Sequence, residues 1–172
     1  MDYNIEKDEK QHEFFIKREE NKPIYVYRQS AGQRKEGICE VLEMDDWGEL
    51  HWEQYSCAPQ GERTDKMLYW IVQEMPKPVF FTAQREGDLV CDDFLGSISP
   101  YEANDSNRIG YRPVSIFLYN SMPLISPTHV DMGIELVDRI LKTAVGESFE
   151  DGDLTIEVIT KDKAKRIFEQ QS

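Results

Sequence analysis

Val114-Ser115-Ile116-Phe117-Leu118-Tyr119, then Asn120-Ser121-Met122-Pro123, then Ser126-Pro127-Thr128-His129-Val130-Asp131, is the stretch on which the fold turns. Its first six residues are apolar, aromatic or β-branched, the composition of a buried strand. Asn120 to Pro123 interrupts that strand, and Ser126-Pro127 holds the backbone extended up to Thr128. Thr128 with Asp131 three residues later has the T-x-x-D form of a capping box, which predicts a helix start. Val130, Ile134, Val137 and Leu141 follow at steps of four, three and four, so they form one apolar stripe. Leu136, Ile140 and Ala144 widen it, and Gly146 stands where a left-handed residue commonly ends a helix.

Downstream, Asp151-Gly152-Asp153 reads as a turn into the strand Leu154-Thr155-Ile156-Glu157-Val158-Ile159. Thr160 is placed to cap a last helix that buries Ala164, Ile167 and Phe168. The C-terminal third therefore runs strand, helix, strand, helix. Upstream the elements are shorter. Residues 1–21 are highly charged around Phe14-Phe15-Ile16 and read as a helix or an arm. Ile24-Tyr25-Val26-Tyr27 is a strand with Ile24 and Val26 on one face and the tyrosines on the other. Ser30 to Gly37 is polar and glycine-flanked, and reads as a hairpin loop; it lacks the spacing of a phosphate-binding loop.

Gly37–Met44 and Glu49–Cys57 read as two strands joined by the turn Asp45-Asp46-Trp47-Gly48. Thr64-Asp65 can cap a helix running to Met75, which Pro76 would end. Val79-Phe80-Phe81-Thr82 is a further strand, and Asp88 to Phe94 is a short strand or turn. Gly96-Ser97-Ile98-Ser99-Pro100 and Asn104 to Asn107 read as an extended surface loop. About six strands and three or four helices result, with strands early and helices late. That order predicts an α+β fold, a single domain over 1–172 built on one mainly antiparallel sheet. The final strand-helix-strand leaves room for one parallel pair.

Composition narrows the function classes. The 172 residues carry 33 Asp and Glu against 20 Lys and Arg, a formal net charge of −13. Such a field opposes direct binding to nucleic acid and to anionic membranes, because it cannot replace the counterions around phosphate. No apolar run approaches the length of a membrane span, and no secretory leader is visible. Cys39, Cys57 and Cys91 are odd in number and far apart, with no C-x-x-C spacing, which predicts reduced thiols in a cytoplasmic protein. With only His12, His51 and His129 to supplement them, no zinc set is expected.

Candidate chemistry is sparse. His51 and Glu53 share a strand face and can pair as acid and base. His129 and Asp131, with Tyr119, Asn120 and Ser121, surround the place where a cleft is expected if the chain is an enzyme. Asp92-Asp93 and Asp151-Gly152-Asp153 suit turns as well as cations. No nucleophile elbow or dinucleotide-binding glycine pattern occurs, so no catalytic residue and no cofactor is assigned. Leu154 to Val158 followed by Ala164, Ile167 and Phe168 resembles the late strand and helix of coenzyme A-dependent acetyltransferases, over about a third of the chain. That resemblance implies a small-molecule enzyme with its cleft near 119–131. The family's [RQ]-x-x-G-x-[GA] loop is absent, since Ser121 to Val130 has no glycine.

The densest feature lies elsewhere. Glu40, Glu43, Asp45, Asp46, Glu49 and Glu53 crowd one hairpin, with Trp47, Trp52 and Tyr55 among them. Carboxylates around aromatic side chains suit a surface that meets a basic protein, a nucleic-acid-binding protein or a toxin. There the charges speed encounter and the rings anchor it. The expected function is thus a non-enzymatic inhibitor-, immunity- or antitoxin-like module that binds through Glu40, Glu43, Asp45, Asp46, Trp47, Glu49, Trp52 and Glu53.

Overall fold

A computed structural model describes residues 10–20, 24–64, 71–73, 75–85, 94–99, 111–120 and 122–171. The fold is α+β, with two antiparallel sheets of five and six strands where one sheet of about six was expected. Every described strand pair is antiparallel, so the late parallel pair is not formed. The chain divides into two compact units, 1–75 and 76–172, each with its own sheet.

In the first unit the strands are β1 (Glu13–Lys17), β2 (Tyr25–Gln29), β3 (Cys39–Met44), β4 (Leu50–Tyr55) and β5 (Glu62–Arg63), in the spatial order β4-β3-β2-β1-β5. Phe14, Val26, Leu42 and Leu50 line one face and pack with Ile71, Val72 and Met75. The expected N-terminal helix or arm is corrected here. Residues 13–17 form a strand, because pairing with β2 satisfies their backbone groups and carries Phe14 into the core.

Residues 30–37 are likewise corrected from a hairpin loop to a short helix, α1 (Ala31–Glu36). Ser30 accepts from the Gln33 N–H, and the Gln33 side chain accepts from the Ser30 N–H, which is a complete capping box. Gly37 closes it at φ 71°, a left-handed position that a side chain would strain. The helix expected from Thr64 to Met75 lies mostly outside the described residues; Ile71, Val72 and Gln73 are helical.

The cysteines also depart from expectation. Cys39 and Cys57 form a disulfide with Cα atoms 5.9 Å apart, so these two are not free thiols. Strand pairing, which sets Cys39 beside the end of β4, brings together residues whose sequence spacing carries no signal. The bond removes the argument for a reducing cytoplasm that rested on those two thiols. Cys91 lies outside the described residues. Among the described residues no helix is long and apolar enough to cross a membrane.

The second unit holds β6 (Val79–Arg85), β7 (Phe94–Ile98), β8 (Tyr111–Tyr119), β9 (Met122–Gly133), β10 (Ser148–Asp151) and β11 (Leu154–Ile159), ordered β10-β11-β6-β7-β8-β9. Helix α2 (Ile134–Lys142) lays Val137 and Ile140 on a core of Phe81, Ile98, Val114, Ile116, Ile156 and Val158. Helix α3 (Lys161–Gln171) is capped as expected, with the Lys163 N–H donating to Thr160 Oγ1 at 3.1 Å and Ala164 fully buried. The turn at Asp151-Gly152-Asp153 joins β10 to β11 as expected, although β10 itself has no clear sequence signal.

Two expectations fail in this unit. Thr128 and Asp131 are not a capping box: β9 continues to Gly133, with Thr128 opposite Ile116 and Val130 opposite Val114. The long ladder with β8 outweighs a local cap, and the helix starts at Ile134 without a side-chain cap. It ends at Lys142, before Gly146. Gly96-Ser97-Ile98 is not surface loop but buried strand. A Cβ on Gly96 would meet the Ser115 carbonyl oxygen at 2.9 Å and the Phe81 ring at 3.0 Å, so glycine permits the close approach of β7 to its neighbours. Asp88 to Asp93 and Asn104 to Asn107 lie outside the described residues.

Candidate functional site

The acidic hairpin forms as expected, with Glu43 opposite His51, Leu42 opposite Trp52 and Val41 opposite Glu53. Strand alternation then sorts its side chains onto two faces. Glu40 and Trp52 share the face of Leu42 and Leu50, where Trp52 packs against the core. Glu43, His51, Glu53 and Tyr55 are on the opposite, exposed face. Asp45, Asp46, Trp47 and Glu49 form the turn and are half-buried. The eight expected residues are thus placed as two on the open face, four at the tip and two on the core side.

Asp45 organises the tip. Its Oδ1 accepts from the N–H groups of Trp47 (3.0 Å) and Glu49 (2.8 Å), and its Oδ2 lies 2.8 Å from His51 Nε2. Asp45, Glu49 and His51 each offer a donor atom within 4.8 Å of the others, a spacing compatible with a cation. Both oxygens of Asp45 are already engaged, so the cluster reads as the support of the turn.

Glu40 is a half-buried member of an ion pair. Arg28 Nε donates to its Oε2 at 2.5 Å, His12 Nε2 lies 3.4 Å away, and the guanidinium sits 4.3 Å above the Trp52 ring. Burial pushes the Glu40 carboxyl up, but the hydrogen bond and charge of Arg28, aided by Gln33 and His12, hold it below its ordinary value. On the open face Tyr55 donates its hydroxyl proton to Glu43. That bond pushes the phenol above its ordinary value, with desolvation and the charges of Glu43 and Glu53 acting in the same direction.

The open face also carries residues that composition did not single out as a site. Tyr25 and Tyr27 project from β2 on the side away from Val26, and with Tyr55 and Glu43 they wall a concavity of about 320 Å³. The alternation of Ile24-Tyr25-Val26-Tyr27 was the available signal. Only the β2–β3 pairing, with Tyr27 opposite Val41, shows that these tyrosines adjoin the acidic hairpin.

In the second unit a cavity of about 490 Å³ opens where a cleft near 119–131 was expected. Phe81, Phe94, Tyr119, Leu124, Val130 and Leu154 line it, and Tyr119 and Thr128 bring its hydroxyls. His129 and Asp131 alternate with the wall residues Thr128, Val130 and Met132 along β9, so they point to the other side of the strand. Among the described residues the walls therefore suit binding of an apolar molecule and bring no acid–base pair to it. Set against known proteins, the chain matches no family model, and no curated protein or solved structure is significantly similar to it.

Proposed function

We propose that the chain is a non-enzymatic binding module that occupies a basic protein, in the manner of an inhibitor, immunity protein or antitoxin, through the β3–β4 hairpin. One observation carries this reading. From Glu36 to Glu62 there is no lysine or arginine, and the structure turns Glu43 and Glu53 outward beside a tip holding Asp45, Asp46 and Glu49. A cationic partner meets there a field that no cation of the same segment offsets, and opposite charge raises the rate of productive encounter. Glu40 and Trp52, facing the core, support the hairpin instead of touching the partner.

The test is association kinetics of the immobilised chain with the cationic proteins it captures. Charge reversal at Glu43, Asp46 and Glu49 slows association about tenfold at low salt, and added salt erases the difference. Capture that survives all three reversals unchanged rules the reading out.

A second reading is favoured by the 490 Å³ cavity, whose size is that of a small-molecule site. On that reading the 76–172 unit takes a neutral apolar ligand, with Tyr119 or Thr128 bonding its polar end. A thermal-shift screen contrasting apolar alcohols with coenzyme A derivatives and nucleotides then shows saturable stabilisation by the alcohols alone. Stabilisation by a coenzyme A derivative would return the expected transferase to consideration.

A further inference from the structure

We infer that the open face of the five-stranded sheet is a receptor for one cationic side chain, an arginine or lysine on an extended segment of the basic partner. Tyr25, Tyr27 and Tyr55 supply the ring faces, and Glu43 supplies the counter-charge. The inference rests on the docking reading above and names the contact that gives it selectivity.

Four observations support it. First, Tyr25 and Tyr55 are 41% and 43% exposed, although each is a large ring on a face that already has partners in the ladder. The Tyr25 and Tyr27 centroids lie 6.4 Å apart, so a cation between them is within reach of both rings. Second, Glu43 accepts from the Tyr55 hydroxyl through Oε1 only, and a carboxylate has further acceptor capacity on its other oxygen. The same bond fixes ring and carboxylate relative to each other.

Third, the nearby cations of the chain already have partners of their own. Arg28 faces the core side, where it bonds Glu40. Lys17, opposite Tyr25, is at the rim, where it donates to the wall residue Gln60 and pairs with Glu19. Fourth, the far wall runs from Tyr55 through Cys57 to Gln60, and the Cys39–Cys57 disulfide ties it to β3. The concavity is preformed, and its 320 Å³ suits one long side chain better than a folded element. An apolar occupant would give the Glu43 carboxylate no counter-charge, its present partner being the neutral Tyr55 hydroxyl. A second copy of this chain would bring another −13 to a face that already holds Glu43 and Glu53.

The direct probe is a set of capped tripeptides, Gly-Arg-Gly, Gly-Lys-Gly and Gly-citrulline-Gly, titrated into the full chain and followed by the tyrosine ring NMR signals. The arginine and lysine peptides shift Tyr25, Tyr27 and Tyr55 saturably, and the citrulline peptide does not. Tyr25→Ala with Tyr55→Ala weakens binding about tenfold, and Tyr25→Phe, which keeps the ring, does not. Glu43→Gln, close in shape to the native residue, also weakens it about tenfold, so a misfolded tyrosine variant would not leave the matter open.

Equal binding of the citrulline peptide, or an absence of ring shifts, overturns the inference. If charge reversal at Asp46 and Glu49 reduces partner capture while the tyrosine variants and Glu43→Gln leave it intact, the docking reading stands and this contact falls. If neither set alters capture, both fall together.

Discussion

Replacing Phe14 by alanine lowers the stability of the 1–75 unit by about 3 to 5 kcal/mol, the cost of removing a fully enclosed aromatic side chain. Phe14 is 1% exposed and packs among Val26, Leu42, Leu50, Ile71 and Val72, with its ring centroid 6.3 Å from that of Trp52. A loss of that size is a large part of the total stability of a small folded unit. Were residues 10–20 a charged arm, the same substitution would change stability by no more than about 0.5 kcal/mol. Urea titration followed by tryptophan fluorescence decides between them, because Trp47, Trp52 and Trp70 all belong to residues 1–75. A midpoint unchanged in Phe14→Ala would remove β1 from the sheet.

That substitution also probes why β1 was hard to read. Its apolar residues sit between Glu13 and Lys17, and a strand of five has too few alternations to stand out from a charged background. Its stability comes from β2, a partner that local composition does not reveal. Helix α1 was missed for the opposite reason. Ser30 and Gln33 have the capping-box spacing, but no residue of α1 is buried, so apolar periodicity had nothing to register. At Thr128 and Asp131 the local signal was present and misleading, since both lie in an unbroken run of β9, Thr128 to Gly133, that pairs along β8, and extended backbone prevails. Gly96-Ser97 has the composition of a loop, and only contact with Ser115 and Phe81 explains why a strand needs a glycine there.

The elements that were legible share one property: their own residues carry the whole pattern. The β3–β4 hairpin, the apolar centre of β8 and the Thr160-capped α3 are of this kind. The candidate site was legible to the same extent. The acidic residues of the hairpin could be read along the chain. Their division between two faces followed from alternation, whereas the adjacency of Tyr25 and Tyr27 required the partner strand. Carboxylates that look alike in sequence consequently differ in kind. Glu40 is a covered half of an ion pair, and Glu43 and Glu53 face solvent.

The Glu40 pair leads to a second effect: Arg28→Met costs about 1 to 3 kcal/mol at neutral pH, the loss of a hydrogen bond to a charged, part-buried group. Methionine keeps an apolar stem against Trp52 but withdraws the charge from Glu40, whose side chain is only 18% exposed. A covered carboxylate without its cation is the costly state, far more so than the absence of the pair. The direction with pH follows from the Glu40 carboxyl, which in the native protein lies below its ordinary 4.5. A depressed acid contributes stability that is fully present above the unfolded value and is lost as pH falls through the folded one. In Arg28→Met the lowering influence of Arg28 is gone and burial, the largest single influence, pushes the carboxyl up. The variant's deficit is therefore greatest near pH 7 and shrinks as pH falls and its unpaired Glu40 takes up a proton, which the native pair resists until pH is below the ordinary 4.5. Adding Glu40→Gln restores most of the loss at pH 7, since the amide needs no counter-charge. A deficit that stays flat from pH 7 to pH 4, or a double variant as unstable as the single one, would show that Arg28 supports the hairpin through packing on Trp52 alone.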